Sequence, residues 1–205
     1  MGIVDKIETL WEKLQNEEWG RYKKSPIGVF SIDGLRGAGI LGKVVTKKLL
    51  INSKCLDIGC GALPKPFYMK VASDIQFTGI DPYEGDVNRD FEFIQGYAEN
   101  LPFDNESFDG VVFATSLDHV TNPYKAIEEA HRVLKKNGFL FVWGSIVPNN
   151  RQYRTWKANF PTQYNDHHLW AYTKRSLNLM IKPYFKKLEM ISLSKRVKIF
   201  IFKKR

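Results

Sequence analysis

Hydrophobic residues along this chain occur in short runs that end at polar or turn-forming residues, and these runs alternate with segments of helical spacing. The runs predict strands at 55–57, 76–80, 91–95, 107–115, 139–143, 187–192 and 197–202. Strands that alternate with helices predict a mainly parallel sheet covered by helices on both faces. We therefore expect an α/β fold whose ligands bind at the carboxyl ends of the strands.

Helices are predicted between these runs. Apolar residues at helical spacing favour an amphipathic helix over 3–18, and a buried stripe with Asn122 as N-cap and Pro123 at the first position favours a helix over 123–135. A helix is also expected to begin near Leu177, and Pro64 and Pro66 are expected to open the first crossover helix. Repeated glycines between residues 21 and 54 predict a flexible approach segment before a short helix.

The first predicted strand leads directly into a glycine turn. Cys-Leu-Asp-Ile-Gly-Cys-Gly at 55–61 places Asp57 beside two glycines, which allow positive φ and a close approach of backbone amides to a ligand. The second strand ends at Asp81, 24 residues after Asp57, a spacing that suits a carboxylate that binds ribose hydroxyls. These two features indicate a nucleotide-like cofactor and hence an enzyme.

With the motifs that follow, the chain resembles the class I S-adenosylmethionine-dependent methyltransferases, of the group that includes ubiquinone- and menaquinone-biosynthesis enzymes. The resemblance covers 53–145 and rests on Leu-Asp-Ile-Gly-Cys-Gly, Ala-Glu-Asn-Leu-Pro-Phe, Ser-Phe-Asp-Gly-Val-Val and Ala-His-Arg-Val-Leu-Lys-Lys-Asn-Gly-Phe-Leu. More loosely, the segments 79–85, 113–120 and 168–173 are similar to small methyltransferases of bacterial surface-polysaccharide pathways. The resemblance implies a Rossmann-like seven-stranded sheet with a C-terminal antiparallel hairpin, and S-adenosyl-L-methionine as cofactor.

It also implies a set of cofactor-binding residues. The loop of Asp57, Gly59, Cys60 and Gly61 would lie under the methionine portion, and Asp81 followed by Pro82 would hold the ribose. Ala98 and Glu99 would lie beside the adenine, and Thr115 and Ser116 would line the floor below the sulfonium. Two residues depart from the family pattern: Leu63 stands where a third glycine is usual, and Tyr97 stands where an acid often meets the adenine amine.

The candidate catalytic residues lie outside these motifs. Methyl transfer gains much of its rate from alignment of the acceptor, and a base is useful when the acceptor is a hydroxyl. His119 and His168 are placed by the topology to serve as that base, with a structural role as the alternative, whereas His131 is expected at the surface. The adjacent His167 and His168 would diverge, so no metal is expected.

The segment 146–182 is interpreted as a substrate lid. It carries aromatic side chains together with hydrogen-bonding groups, a mixture suited to sugars or flat rings; the alternative is that its rings close the core. The chain is thus divided into an approach segment at 1–50, a cofactor-binding core at 51–145, the lid, and a closing hairpin at 183–205. With 205 residues, 43% of them hydrophobic, a single domain is expected.

Composition limits the location and the partners. No apolar run reaches 18 residues and two cysteines make no disulfide framework, so we expect a cytoplasmic enzyme without membrane insertion that acts on a small-molecule acceptor. The charge is uneven: 74–118 carries eleven acids against Arg89 alone, and 182–205 carries nine Lys/Arg against Glu189 alone. The basic segment leaves RNA as an alternative acceptor. A closing strand at 197–202 with solvated lysines at its ends explains these charges more simply.

Two further alternatives remain. A nicotinamide-dependent oxidoreductase would need a glycine at position 64, where this chain has proline. A methyltransferase-like protein with impaired cofactor binding would explain Leu63 and Tyr97. The sequence therefore predicts a methyltransferase that modifies oxygen or nitrogen of a small molecule, with a glycan precursor as one candidate acceptor.

Overall fold

The computed structural model describes residues 3–24, 32–147 and 168–205. Its helices are α1 (Ile3–Lys24), α2 (Ile32–Lys48), α3 (Phe67–Val71), α4 (Pro123–Val133) and α5 (Lys174–Ile181). Its strands are β1 (Lys54–Ile58), β2 (Gln76–Asp81), β3 (Glu92–Gln95), β4 (Phe108–Ala114), β5 (Leu134–Ser145), β6 (Phe185–Ser192) and β7 (Val197–Lys204).

The seven strands form one sheet in the order β3-β2-β1-β4-β5-β7-β6. The pairs among β1 to β5 are parallel, and β7 runs antiparallel to both of its neighbours. The predicted Rossmann-like fold with a C-terminal antiparallel hairpin is confirmed. Because β2 and β4 flank β1, the carboxyl ends of these three strands meet at one edge of the sheet, which is where a ligand site is expected.

Helices cover both faces of the sheet. One apolar cluster joins α1, α4 and α5 to the sheet, with Leu14, Ile127 and Ile181 buried in it. The other joins α2 and α3 to the opposite face through Leu41, Val45 and other side chains. Burial on both faces explains why the central strands are continuous apolar runs rather than alternating patterns.

The glycine-rich region before β1 differs from its prediction. The short helix expected there is the 17-residue α2, and α1 continues to Lys24, beyond its predicted end at 18. Two of the helix glycines allow close packing: a Cβ at Gly42 would lie 2.6 Å from the Tyr68 carbonyl oxygen, and one at Gly37 would lie 2.7 Å from the Trp143 ring. These glycines permit contact with α3 and β5, and the sequence reading of flexibility was wrong for 32–48. Residues 25–31 lie outside the described part.

Other boundaries differ by smaller amounts. The first crossover helix, α3, has five residues with Pro66 at its N-cap, so Pro64 precedes it and does not open it. α4 begins as predicted, since Asn122 accepts a hydrogen bond from the Lys125 amide. β5 starts directly after α4 at Leu134, five residues before its predicted start. His131, expected at the surface, is half-buried with its ring 5.2 Å from that of Tyr184.

Candidate active site

A cavity of about 410 Å³ opens at the carboxyl ends of β1, β2 and β4. All twelve residues that the sequence nominated for the cofactor or for catalysis line it: Asp57, Gly59, Cys60, Gly61, Asp81, Pro82, Ala98, Glu99, Thr115, Ser116, His119 and His168. Their placement follows from topology, because most of them stand at or just after the end of a strand. The structure therefore brings the nominated residues together in one site.

The glycine turn after β1 has the backbone that its sequence requires. Gly59 and Gly61 have φ of 77° and 68°, in the region that residues with a Cβ rarely adopt. A Cβ at Gly59 would also collide with the side chain of Ser116. The amides of Gly59 and Cys60 donate to the Ile80 carbonyl at 2.8 and 3.3 Å, which ties the turn to β2.

Asp81 joins this turn to the loop after β2. Its carboxylate accepts hydrogen bonds from the amides of Gly61 at 2.9 Å and Tyr83 at 3.0 Å. Burial raises the pKa of Asp81, while these two hydrogen bonds and the nearby Arg89 lower it. A carboxylate can accept about four hydrogen bonds, so capacity for two hydroxyl groups remains on the side of the cavity.

Asp57 is the most deeply buried acid of the site. It is 1% exposed, and its Oδ1 has no hydrogen-bond partner. Burial raises the pKa of Asp57 to about 7, the Asp81 carboxylate adds to the increase, and the neighbouring Tyr68 hydroxyl opposes it. An ionised Asp57 is thus poorly satisfied by the protein alone, and a cation in the cavity would stabilise it.

The departure at Leu63 is accommodated by the loop before β3. Arg89 donates to the Gly61 carbonyl at 3.1 Å, and the Asp90 amide donates to the Pro64 carbonyl at 3.0 Å. The Arg89 guanidinium also stacks over the Phe93 ring at 3.8 Å. Polar contacts from residues 89 and 90 therefore hold the turn in this chain, where the family uses a third glycine.

The wall beyond β3 contains Tyr97, Ala98 and Glu99. Glu99 accepts from the Thr121 hydroxyl at 2.7 Å and from the Asn122 amide at 2.9 Å, so its carboxylate anchors the start of α4 while it lines the cavity. Tyr97 is 54% exposed and its ring lies 5.8 Å from that of Trp11. Tyr97 does not point into the core, and its ring remains available to a ligand.

The floor of the cavity is formed after β4. Thr115 has φ of 60° and donates its amide to the Trp143 carbonyl at 2.7 Å. The Ser116 hydroxyl donates to the Ile58 carbonyl, which ties the end of β4 to the end of β1. The strained backbone of Thr115 and these two hydrogen bonds hold Thr115 and Ser116 in the wall of the cavity.

His119 and His168 meet at the far end of the cavity. Their ring centroids lie 4.8 Å apart, and Nε2 of His168 lies 3.6 Å from Oδ2 of the buried Asp118. One ligand atom from each of these three side chains falls within 4.8 Å of the others, so the donor types of a cation site are also present. The expectation that no metal is used stays a prediction, which a chelator tests.

Several lining residues were missed from the sequence. Trp11 and Gln15 come from α1, and Tyr68 and Trp143 come from α3 and β5. The helical stripe that contains Trp11 was identified, but nothing local to it indicates which strand ends it covers. Asp118, which lies 3.6 Å from His168 Nε2 but does not itself line the cavity, was also missed, although it stands beside His119 in the sequence.

The predicted lid is described only at its two ends. Residues 148–167, and with them His167 and the aromatic residues at 156, 160 and 164, lie outside the described residues. Two lid rings belong to the core: Trp170 Nε1 donates to the Val120 carbonyl at 2.6 Å and the Tyr172 hydroxyl donates to the Leu117 carbonyl at 2.8 Å. For these two rings the alternative of core closure holds.

The basic C-terminal segment has structural partners. Lys198 is buried and donates to the Lys195 carbonyl at 3.2 Å, and Lys204 donates to the Leu134 carbonyl at 2.6 Å. Lys187 and Lys203 lie over the rings of phenylalanines in β7 and β5. The solvated strand edge predicted at 197–202 was wrong, because β7 pairs with both β5 and β6 and Lys198 is buried; the edge strand is β6, where Lys186 and Lys187 are exposed. In the described parts of the chain, no helix is both long and apolar enough to cross a membrane.

Comparison with known proteins agrees with this geometry. Residues 56–142 match the family described as a methyltransferase domain. An uncharacterised protein of Methanocaldococcus jannaschii is 37% identical over 87 residues, 42% of this chain and 41% of that protein. A demethylmenaquinone methyltransferase of Thermotoga maritima is 27% identical over 159 residues, 69% of each chain. The ubiquinone/menaquinone biosynthesis C-methyltransferase of Coxiella burnetii is 44% identical over 56 residues, and this chain spans only 22% of its length.

Solved structures share the fold at low identity. A 1,6-didemethyltoxoflavin-N1-methyltransferase of Burkholderia thailandensis, solved with S-adenosylhomocysteine, gives a TM-score of 0.71 at 12% identity, covering 94% of this chain and 88% of its own. A methyltransferase of Thermotoga maritima gives 0.62 at 22% identity, with 96% and 99% covered. The resemblance seen in the sequence is confirmed as a similarity: residues 56–142 match a methyltransferase domain, and the fold is shared with solved methyltransferases.

Proposed function

We propose that the protein transfers a methyl group from S-adenosylmethionine to oxygen or nitrogen of a small molecule, with a glycan precursor as the first acceptor class to test. The main support is that one cavity is lined by the glycine turn with Asp57 and Asp81 and also by His119 and His168. A cofactor site and an acceptor site must adjoin for an in-line displacement, and this cavity meets that requirement.

The residues present fit the cofactor. The positive-φ glycines bring the backbone of the turn to the cavity, Asp57 offers a buried carboxylate, and Asp81 retains hydrogen-bonding capacity. Asp81 would hold the ribose hydroxyls, and Asp57 would face the cationic amino-acid end. When bound, S-adenosylmethionine supplies an electrophilic methyl group on a sulfonium. The protein's part is to orient the acceptor and to exclude water.

The acceptor end offers a base. His168 would take the proton of an acceptor hydroxyl at an imidazole nitrogen, and Asp118, 3.6 Å from Nε2, would stabilise the imidazolium so formed. His119, whose ring adjoins that of His168, would position the acceptor or share the proton. A neutral nitrogen acceptor needs no base and only has to be aligned with the methyl group. The effect of replacing His168 on the rate of methyl transfer therefore distinguishes hydroxyl acceptors from neutral nitrogen acceptors.

Two alternatives have less support. The sequence carries no recognisable RNA-binding module, and four of the nine cations of 182–205 make structural contacts, so an RNA acceptor has less support. Impaired cofactor binding would require a distorted turn at Leu63, yet the turn is hydrogen-bonded on both sides. Both alternatives are outcomes of the tests below, and neither requires a different fold.

The first experiment is calorimetric titration with S-adenosylhomocysteine. We expect micromolar binding by the natural chain and at least tenfold weaker binding by Asp81→Ala, about 1.4 kcal/mol. Asp86→Ala is the matched control, since Asp86 is an exposed acid of the neighbouring loop. Thermal unfolding verifies that each variant is folded. No binding by the folded natural chain would reduce the proposal to a statement about fold.

A second experiment addresses the acceptor. Transfer of a labelled methyl group is measured with nucleotide sugars, free sugars, small heteroaromatic amines and total RNA, each with and without a chelator. The proposal predicts a small-molecule product whose formation survives chelation. Exclusive labelling of RNA, with steep dependence on salt, would support the alternative instead.

A further inference from the structure

The edge of the sheet opposite the cavity is strongly basic. The amino ends of β1, β5 and β6 and the carboxyl end of the antiparallel β7 meet at this edge. Four segments form it, which we call the basic edge: 47–54, 134–137, 182–187 and 203–204. Together they contain ten lysines and no aspartate or glutamate. The proposed function uses none of these lysines.

Most of these charges are not neutralised by neighbouring acids. Three of the ten lysines form ion pairs with acids of adjacent segments, at 2.9 to 3.5 Å. The other seven form no ion pair within the described parts of the chain, and Lys54, Lys136 and Lys186 among them are exposed. Two exposed acids, Asp74 and Asp104, lie beside the basic edge. Because lysines still predominate, the edge has a positive electrostatic potential.

The lysines form a band rather than a pocket. From β1 to β6 the basic edge extends over four strand spacings, roughly 19 Å. The Lys54 amide donates to the Asp109 carboxylate, which also accepts from Lys135. Further along, Lys186 pairs in register with Lys203. A band of this length suits an extended anionic surface better than a single small anion.

Two aliphatic side chains project from the same edge. Leu50 and Ile51 are 83% and 74% exposed, more than any other large hydrophobic residue that the structure describes. The turn that carries them is fixed, because the Ser53 amide donates to the Leu50 carbonyl at 3.1 Å. The Asn52 amide also donates to the Asp74 carbonyl at 2.8 Å. An ordered turn that holds two adjacent aliphatic groups in water is suited to burial against an apolar partner.

Lysines beside protruding aliphatic groups match the surface of an anionic bilayer. Its headgroups attract the lysines, and the boundary of its acyl chains accepts the aliphatic groups. A nucleic acid would bind the lysines but leave the aliphatic groups in water. It would also find no ring to stack on, since Tyr184 and Phe185, the aromatic residues of the four segments, pack against His131.

We propose that the basic edge is a peripheral docking surface for membranes that contain anionic lipids, with Leu50 and Ile51 entering the headgroup region. The cavity opens at the opposite, carboxyl edge of the sheet, so a docked protein keeps its site open to acceptors in water. Docking requires neither the cofactor nor the acceptor. The proposal therefore stands or fails independently of the proposed function.

Flotation with phospholipid vesicles tests the lysines. The natural chain should bind vesicles of phosphatidylcholine with a third of phosphatidylglycerol, and salt should weaken this binding. It should not bind vesicles of phosphatidylcholine alone. Lys136→Glu with Lys186→Glu should weaken binding about 25-fold or more, since each lysine near an anionic surface contributes about fivefold. The control is Lys174→Glu with Arg175→Glu, which changes the net charge equally at the start of α5, near the cavity edge, and should bind within about threefold of the natural chain.

Replacement of the aliphatic pair tests its insertion. Leu50→Ser with Ile51→Ser should weaken vesicle binding about tenfold and leave its salt dependence unchanged, because apolar burial is lost while all charges remain. Leu35→Ser with Leu179→Ser removes two exposed leucines elsewhere and should have no effect. Thermal unfolding verifies that both variants are folded. Natural affinity in the variant without Leu50 and Ile51 would overturn the insertion of the turn.

Acetylation of lysines locates the surface on the natural chain itself. Anionic vesicles should protect Lys54, Lys136 and Lys186 from the reagent and leave Lys125 and Lys174, near the cavity edge, as reactive as in the free protein. Protection at the cavity edge instead, or no binding to anionic vesicles, would overturn the proposal. If an RNA oligonucleotide protects the basic edge and vesicles do not, the edge is a nucleic-acid surface, which also overturns it.

Discussion

The two ends of the cavity are built in different ways. The cofactor end consists of two strand-end loops, and it is held by backbone hydrogen bonds such as Gly59 to Ile80 and by the bond from Gly61 to Asp81. The acceptor end is assembled from distant parts of the chain: His168 lies near His119 because the Trp170 amide bonds the Asp118 carbonyl. One end depends on local backbone geometry and the other on tertiary packing.

This difference predicts separable effects of mutation. Changes at the cofactor end should alter ligand affinity and stability together, because the turn is part of the sheet edge. Changes at the acceptor end should alter turnover or acceptor choice and leave cofactor affinity nearly unchanged. If a substitution at either end changed cofactor affinity and turnover to the same degree, the two ends would not be separable.

The largest effect is expected at the acceptor end. His168→Gln should lower the turnover of a hydroxyl acceptor about 100-fold or more, because a positioned base is lost. Affinity for S-adenosylhomocysteine should stay within about twofold, since the turn and Asp81 are untouched. Initial rates with the acceptor found in the screen and calorimetry measure the two quantities.

Two variants control this result. Asp118→Asn should give an intermediate loss of turnover, because the imidazolium loses its neighbouring charge but the imidazole remains. His131→Gln should leave turnover unchanged, since His131 packs against Tyr184 and Phe185, away from the cavity. A parallel loss of cofactor affinity in His168→Gln would contradict the separation of the two ends.

At the cofactor end, Gly59→Ala should abolish measurable binding and destabilise the protein. The positive φ costs about 1–2 kcal/mol for an L-residue, and the new Cβ meets Ser116. Chemical denaturation and calorimetry provide the measurements. Gly144→Ala is the control, because a Cβ there meets nothing within 4 Å, and it should bind S-adenosylhomocysteine normally.

The same contrast explains what the sequence could predict. The turn at 57–61, the acid at the end of β2 and the cap of α4 depend on neighbours in the chain, and their positions were found. The length of α2 was misjudged because glycine lowers helix propensity, and only the packing of Gly37 and Gly42 against Trp143 and α3 outweighs that cost. Trp143 belongs to no recognisable sequence motif. That it lines the site can be seen only from the pairing of β5 with β4 in the structure.

A pH dependence is expected from Asp57. Its pKa is raised to about 7 by burial, so the folded state favours the protonated acid, and the natural chain loses stability as pH rises from about 4 through 7. Asp57→Asn, which does not titrate, should therefore be about as stable as the natural chain near pH 4 and more stable by up to about 4 kcal/mol at pH 8, since each pKa unit corresponds to about 1.4 kcal/mol. Denaturant titrations across this range measure the difference.

Ligand binding should have the opposite slope. A cationic amino group favours the ionised carboxylate, so affinity of the natural chain for S-adenosylhomocysteine should rise between pH 6 and 8, about the Asp57 pKa of 7. Methylthioadenosine, without that amino group, should show no such rise. Asp57→Asn should abolish the rise for S-adenosylhomocysteine, and an unchanged rise in that variant would assign the titration to another group.

The smallest effect concerns the loop that replaces the third glycine. Arg89→Ala removes the hydrogen bond to the Gly61 carbonyl and the stacking on Phe93, so we expect a loss of about 1 kcal/mol in stability and a few-fold weaker binding. Lys65→Ala removes a cation from the loop after β1, which Arg89 contacts, and should change neither quantity. Arg89 also lowers the pKa of Asp81, so part of the loss should arise through that carboxylate.

The double variant Arg89→Ala with Asp81→Ala distinguishes these routes. If Arg89 acts only through Asp81, the double variant binds no more weakly than Asp81→Ala alone, whereas an independent hold on the turn gives additive losses. Because Arg89 bonds the turn carbonyl directly, we expect losses that are close to additive. Additive losses would mean that Arg89 supports the turn independently of Asp81. This second support at the cofactor end would explain why position 63 can be leucine instead of glycine.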